Sequence, residues 1–173
     1  MSSSFPSEQY NHIDSLVRQL ASILTQRDQF LATAESCTGG WIAQSITALA
    51  GSSAWFDSGF VTYSNTAKQR LLQVPAELLK PGGPGAVSEE TVLAMTAGAI
   101  ANSEASVAVS VSGVAGPDGG SPEKPVGTVW IGWQIGDTAD AKRYVFDGDR
   151  EAVRLATVET ALAGLVERLS DIN

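Results

Sequence analysis

The 173-residue chain has one cysteine, one histidine and four lysines, and each scarcity removes a class of chemistry. With Cys37 alone there is no internal disulfide and no multi-cysteine zinc site. With His12 alone a multi-histidine metal centre is impossible, and a triad hydrolase would have to draw on that one imidazole. No metal and no cofactor is implied. A strong base, if the chain has one, must be a lysine, a tyrosine or a carboxylate. No stretch of 18 apolar residues occurs, so no membrane span is expected. The first 15 residues lack the basic and apolar regions of a secretory signal, which predicts a cytoplasmic protein. Eleven Lys and Arg against 19 Asp and Glu give a net charge of −8. That argues against a nucleic-acid partner, because such binding is mostly phosphate neutralisation. A small anionic ligand remains compatible with it through a local site.

What is present reads as one globular domain, residues 7–173, behind a disordered tail at residues 1–6. Tyr10, Ile13, Leu16, Val17, Leu20, Ile23 and Leu24 form the apolar stripe of a helix. Leu31–Ala34 reads as a buried strand, and Thr38-Gly39-Gly40 opens a second helix that runs to Leu49. Residues 55–63 are aromatic and β-branched and predict a strand, followed by a short helix over Asn65–Leu72. Ser88 has the character of an N-cap, with Glu89 and Glu90 where the helix dipole favours acids. That helix reaches Asn102. Strands are expected at Ala105–Val111, Val126–Ile135 and Arg143–Phe146, and a last helix over Asp149–Leu169. Helices alternating with short strands predict a three-layer α/β/α sandwich around a mostly parallel or mixed sheet. Ligands in such folds sit at the carboxyl ends of strands.

Four segments at such places carry chemistry. Glu35-Ser36-Cys37-Thr38-Gly39-Gly40 joins a strand end to a helix start, where free amides bind an anion or an oxyanion. It also reads as a plain cap with close-packing glycines, and Cys37 as a small buried residue. Ser52-Ser53 is followed by Tyr63 and Lys68. A serine is a poor nucleophile until a base takes its proton, and a lysine can do so only when neutral, which burial would favour. Lys68 on a solvated helix face is the bland alternative. Ser110–Gly120 is a glycine-rich loop suited to a phosphate, or a tight turn. Arg150, at the start of the last helix, is suited to clamping a phosphate or to capping. Two look-alikes fail. Tyr63 and Lys68 are five apart, not the four of the short-chain dehydrogenases. Ser121-Pro-Glu-Lys124 is a literal S-x-x-K, but Pro125 disfavours the helix that motif needs.

Seven motifs occur in order between residues 33 and 150: A-E-S-C-T-G-G, G-S-S-x-W-F, V-T-Y-S-N-x-x-K, G-A-V-S-E, S-G-V-A-G-P-D-G-G, K-P-V-G-T-V-W and G-D-R. In these the chain resembles the CinA C-terminal-domain family, in its stand-alone form. The resemblance implies an α/β/α amidohydrolase that converts nicotinamide mononucleotide (NMN) and water to nicotinic acid mononucleotide and ammonia in NAD recycling. It implies a Ser/Lys dyad in which Lys68 matches the catalytic lysine, Tyr63 the tyrosine and Ser53 the nucleophile, with Ser36 as rival. It places Ser112 and Arg150 in the site. Amides near Ser36, Thr38, Gly39 and Gly40 would form the oxyanion hole, and Gly113, Gly116 and Arg150 would hold the 5′-phosphate. It also implies a homodimer or higher homo-oligomer. The nucleotide pyrophosphatase activity of longer family members is expected to be absent. An alternative of another class is a non-catalytic nucleotide-binding or competence/damage-associated accessory module.

Overall fold

The computed structural model describes residues 5–172. Five strands, β1 (Leu31–Glu35), β2 (Phe56–Val61), β3 (Val107–Gly113), β4 (Thr128–Ile135) and β5 (Thr138–Val145), form one sheet in the order β2-β1-β3-β4-β5. The first three run parallel, and β3, β4 and β5 are antiparallel to one another in turn. Helices α1 (Phe5–Gln26), α2 (Trp41–Thr47) and α6 (Arg150–Asp171) cover one face. Helices α3 (Asn65–Leu72), α4 (Ala76–Leu79) and α5 (Glu89–Ala101) cover the other. The expected mixed α/β/α sandwich is therefore what forms. The crossover from β1 to β2 moves one way over the first face, and that from β2 to β3 moves back over the second, which gives both the same hand.

The central strands show why this sequence needs two covering layers. Every residue of β1 is buried, as are six of the seven in β3, the pattern of strands packed on both faces. Leu31, Val107, Val109, Val111, Val129, Ile131 and Trp133 fill the α1/α2/α6 side. On the other side the sheet presents Ala32, Ala34, Ala108 and Ser110, small residues that let α5 approach closely. Ser110 Oγ donates to the Val92 carbonyl at 2.7 Å. On α5, a Cβ at Gly98 would run into the Leu72 carbonyl of α3. Gly98→Ala gains about 1 kcal/mol in helix propensity, but the obstacle is backbone and cannot rotate away. We expect a net destabilisation of about 1–3 kcal/mol, read as a melting temperature lower by roughly 3–10 °C. An unchanged or higher melting temperature would refute the close packing of α3 on α5.

Three expectations are corrected. The last strand begins at Thr138, not Arg143, because Gly136-Asp137 make a two-residue hairpin turn that pairs Ile135 with Thr138. β5 is an exposed edge strand, and Thr138–Lys142 offer only two alanines between polar residues, with no large apolar side chain to betray it. β3 extends to Gly113, which moves Ser112 and Gly113 from loop into strand. The tail expected at residues 1–6 is helical from Phe5; the rest of it lies outside the described residues. No helix among the described residues is long and apolar enough to cross a membrane.

Candidate active site

The carboxyl ends of β1, β2 and β3 open into one cavity of about 200 Å³. Its walls come from Ser36 and Cys37 after β1, Tyr63, Asn65 and Lys68 after β2, and Ser112 and Gly113 at the end of β3. Ala86, Val87, Ala115 and Arg150 complete them.

Ser36 continues the strand: its amide donates to the Val111 carbonyl of β3 at 3.1 Å. Alternation along β1 therefore puts its side chain on the same face as Ala32 and Ala34, toward α3. Thr62 likewise extends β2, its amide donating to the Glu35 carbonyl at 2.8 Å. The chain then turns at Ser64, whose Oγ accepts from the Ala67 amide at 3.0 Å and caps α3. Lys68 and Leu72, one helical turn apart, both face inward and are 1% exposed. The Lys68 ammonium lands under the strand ends, donating to Ser36 Oγ and to the Thr62 carbonyl, each at 2.9 Å. Neither partner is an acid. Burial without a counter-charge pushes the Lys68 ammonium down from 10.5 to about 8. The free amine that a base needs is thereby far more populated near neutral pH than on an ordinary lysine.

Ser53 does not meet Lys68. It is exposed, in a single 3-10 turn over Ser52–Ala54 that precedes β2. Ser36 and Lys68 follow the far ends of β1 and β2, and six residues of strand span about 20 Å. Sequence order brought Ser53 closer to Lys68 than Ser36 is, and the parallel pairing of β1 with β2 reverses that. Tyr63 does not pair with Lys68 either. It is 62% exposed, and its hydroxyl accepts from Arg150 at 3.0 Å and makes no hydrogen bond to Lys68. Arg150 donates also to the Gly116 carbonyl at 2.8 Å, so Tyr63, Arg150 and the loop after β3 form one rim. Ser112, 1% exposed, points its end of β3 into the cavity, with Gly113 beside it.

Thr38, Gly39 and Gly40 do not line this cavity; they border a separate surface depression with Trp41, Gln44 and Arg154. The amides around the start of α2 are largely spent internally. Gly39 N–H donates to the Ser36 carbonyl and Trp41 N–H to the Thr38 carbonyl. The Ile42 and Ala43 amides donate to the Glu35 carboxylate at 2.8 and 3.0 Å, and Thr38 Oγ1 does so at 2.6 Å. Glu35, 1% exposed, thus caps a helix whose own N-cap residue, Gly40, has no side chain to do it. The other side of this turn is held by Arg154 of α6, which donates to the carbonyls of Cys37 and Thr38 and lies over the Trp41 ring. Sequence reading missed Arg154, which stands more than 100 residues from its partners, and Asn65, Ala86, Val87 and Ala115, all four of which lie within motifs but look like punctuation. Cys37 is buried, and burial pushes its thiol up to about 11, so it stays protonated and inert.

Residues 13–169 match the family model described as CinA C-terminal domain. The nicotinamide-nucleotide amidohydrolase PncC of Pseudomonas putida is 56% identical over 155 residues, 90% of this chain and 96% of that protein. The protein of the same name from Escherichia coli K12 is 50% identical over 151 residues, 87% of this chain and 90% of its own. The crystal structure of the competence damage-inducible protein A from Klebsiella pneumoniae superposes with a TM-score of 0.88 at 42% identity, covering 93% of this chain and 99% of that one. With a family match over nearly its whole length and a cavity built from the residues that carry the family's motifs, the chain belongs to the CinA C-terminal-domain family.

Proposed function

We propose that this protein is a nicotinamide-nucleotide amidohydrolase that uses Ser36 as nucleophile and Lys68 as base. The pairing of a buried, uncompensated lysine with Ser36 at 2.9 Å carries the reading. The names of relatives at 50–56% identity, nicotinamide-nucleotide amidohydrolases, support a nicotinamide nucleotide as substrate, which we take to be NMN. In the neutral state, Lys68 keeps one N–H on the Thr62 carbonyl and turns its lone pair to the Ser36 hydroxyl. The proton passes to the amine as Oγ bonds to the carboxamide carbon, and the carbonyl electrons move onto oxygen. The Ser112 hydroxyl is the donor at the cavity wall suited to that oxyanion. The ammonium of Lys68 then protonates the departing nitrogen, and ammonia leaves a nicotinoyl ester on Ser36. Water attacks the ester, gives its proton to Lys68 and restores the serine. The Ala86–Val87 and Ala115 walls suit a pyridine ring, and Arg150 at the rim suits the 5′-phosphate. Such an enzyme would act in the cytoplasm in NAD recycling, as a homodimer or higher homo-oligomer.

Ammonia release from NMN tests the reading directly. NMN should be hydrolysed far faster than nicotinamide riboside. Arg150→Ala should lower kcat/KM for NMN by about 10–150-fold, the worth of one charge-assisted hydrogen bond, and leave the riboside nearly unaffected. Equal kcat/KM for nucleotide and riboside in the wild type would remove the phosphate site.

A further inference from the structure

The loop Pro81-Gly82-Gly83-Pro84-Gly85 leads into Ala86 and Val87, one wall of the cavity. It has no polar side chain of its own, and its two prolines lack an amide. Only its remaining amides and its carbonyls can fix it. The Gly83 amide donates to the Lys80 carbonyl, and the Gly85 amide to that of Leu78 at 2.8 Å. The Gly85 carbonyl accepts from the hydroxyls of Ser88 and Thr91, each at 2.7 Å. The Pro84 carbonyl accepts from Lys124 Nζ at 2.7 Å. That bond is the one tether in the set from outside the 78–91 segment, and it is charge-assisted.

Lys124 is itself held. Its amide donates to Ser121 Oγ at 3.1 Å, and the Ser121 amide donates to its carbonyl at 2.9 Å, closing a tight turn. Arg143 of β5 donates to the neighbouring Glu123 carbonyl at 2.8 Å. The S-x-x-K segment is thus a turn, pinned to the sheet edge, that reaches across to the opposite loop. We infer that Lys124 is a positioning residue: it latches the β3–β4 loop to the Pro84 carbonyl and so sets the place of the Ala86–Val87 wall against which the substrate ring packs. It acts on binding and not on the proton transfer between Lys68 and Ser36. The role at substrate rests on the amidohydrolase reading; the latch itself does not.

Lys124→Met keeps most of the stem and removes the donor, while Lys124→Arg keeps a donor. Amide exchange at Gly85, read by NMR without substrate, should be at least about tenfold faster in Lys124→Met and near wild type in Lys124→Arg. KM for NMN should rise about 5–30-fold in Lys124→Met, with kcat within about twofold and the pH profile unmoved, and Lys124→Arg should recover most of the loss. Unchanged Gly85 exchange in Lys124→Met overturns the latch. Faster exchange with unchanged KM overturns its role at the wall, as does a fall in kcat at constant KM. A wild-type protein that releases no ammonia from NMN counts against the amidohydrolase reading alone, because the exchange arm still decides the latch.

Discussion

Lys68→Ala should lower kcat for ammonia release by at least about 10²-fold and up to 10⁴-fold, the usual contribution of a general base. Among the described residues no other group stands ready to replace it: Lys68 alone donates to Ser36 Oγ, and His12 is engaged with Glu159 between α1 and α6. The fold should survive, since the substitution removes a charge that resists burial. The wild-type pH profile carries the same argument. The active form is the neutral amine, and its pKa lies near 8. kcat/KM should therefore climb about tenfold per pH unit below pH 7 and level off above about pH 9. The sign follows from the direction of the shift. Protonation is opposed by burial, so acid switches the base off, and alkali does not switch it off again until another group titrates. Activity in Lys68→Ala above about a tenth of wild type, or a wild-type profile flat between pH 6 and 9, would eliminate the dyad.

Ser36→Ala should abolish the covalent step, leaving turnover lower by about 10³-fold or more, whereas Ser53→Ala should stay within about twofold of wild type. Steady-state rates alone do not identify a nucleophile, because loss of an oxyanion donor also costs about 10²–10³ in kcat. Mass spectrometry of acid-quenched enzyme, or labelling with a serine-reactive phosphonate bearing a nicotinamide-like group, should place the adduct on Ser36. An adduct on Ser53 would contradict the geometry, in which Ser53 is exposed beyond the opposite end of β2. Absence of any adduct together with full activity in Ser36→Ala would end the acyl-enzyme mechanism.

The layers of the fold were legible because their causes are local. Apolar residues at 3.6-residue spacing made α1 and α6 visible, and short runs of apolar and small residues marked β1 and β3 as buried strands. Ser88 and Asp149 cap α5 and α6 as their types suggest, with Oγ and Oδ1 accepting from the amides three residues on. β5 was half hidden, because an edge strand facing water needs no alternation.

By itself the sequence determined the inventory of the site. It excluded a multi-histidine or multi-cysteine metal centre and left lysine, tyrosine or a carboxylate as the base; of the site candidates it marked, Ser36, Tyr63, Lys68, Ser112, Gly113 and Arg150 border one cavity, whereas Ser53, Thr38, Gly39, Gly40 and Gly116 do not. Tertiary structure alone decided the pairings. Distance along the chain favoured Ser53 for Lys68, 15 residues away, over Ser36, 32 residues away. In a parallel pair each strand end faces its counterpart, so the residue after β1 meets the helix after β2, and the residue before β2 is left at the other edge of the sheet. The same register turned Tyr63 toward Arg150, and folding brought Arg154 to the Ser36 turn and Lys124 to Pro84. The physical reason is common to all four. Propensity and periodicity act over a few residues and are written in the sequence. A contact between distant side chains is fixed only once strand order, register and crossover hand are chosen together.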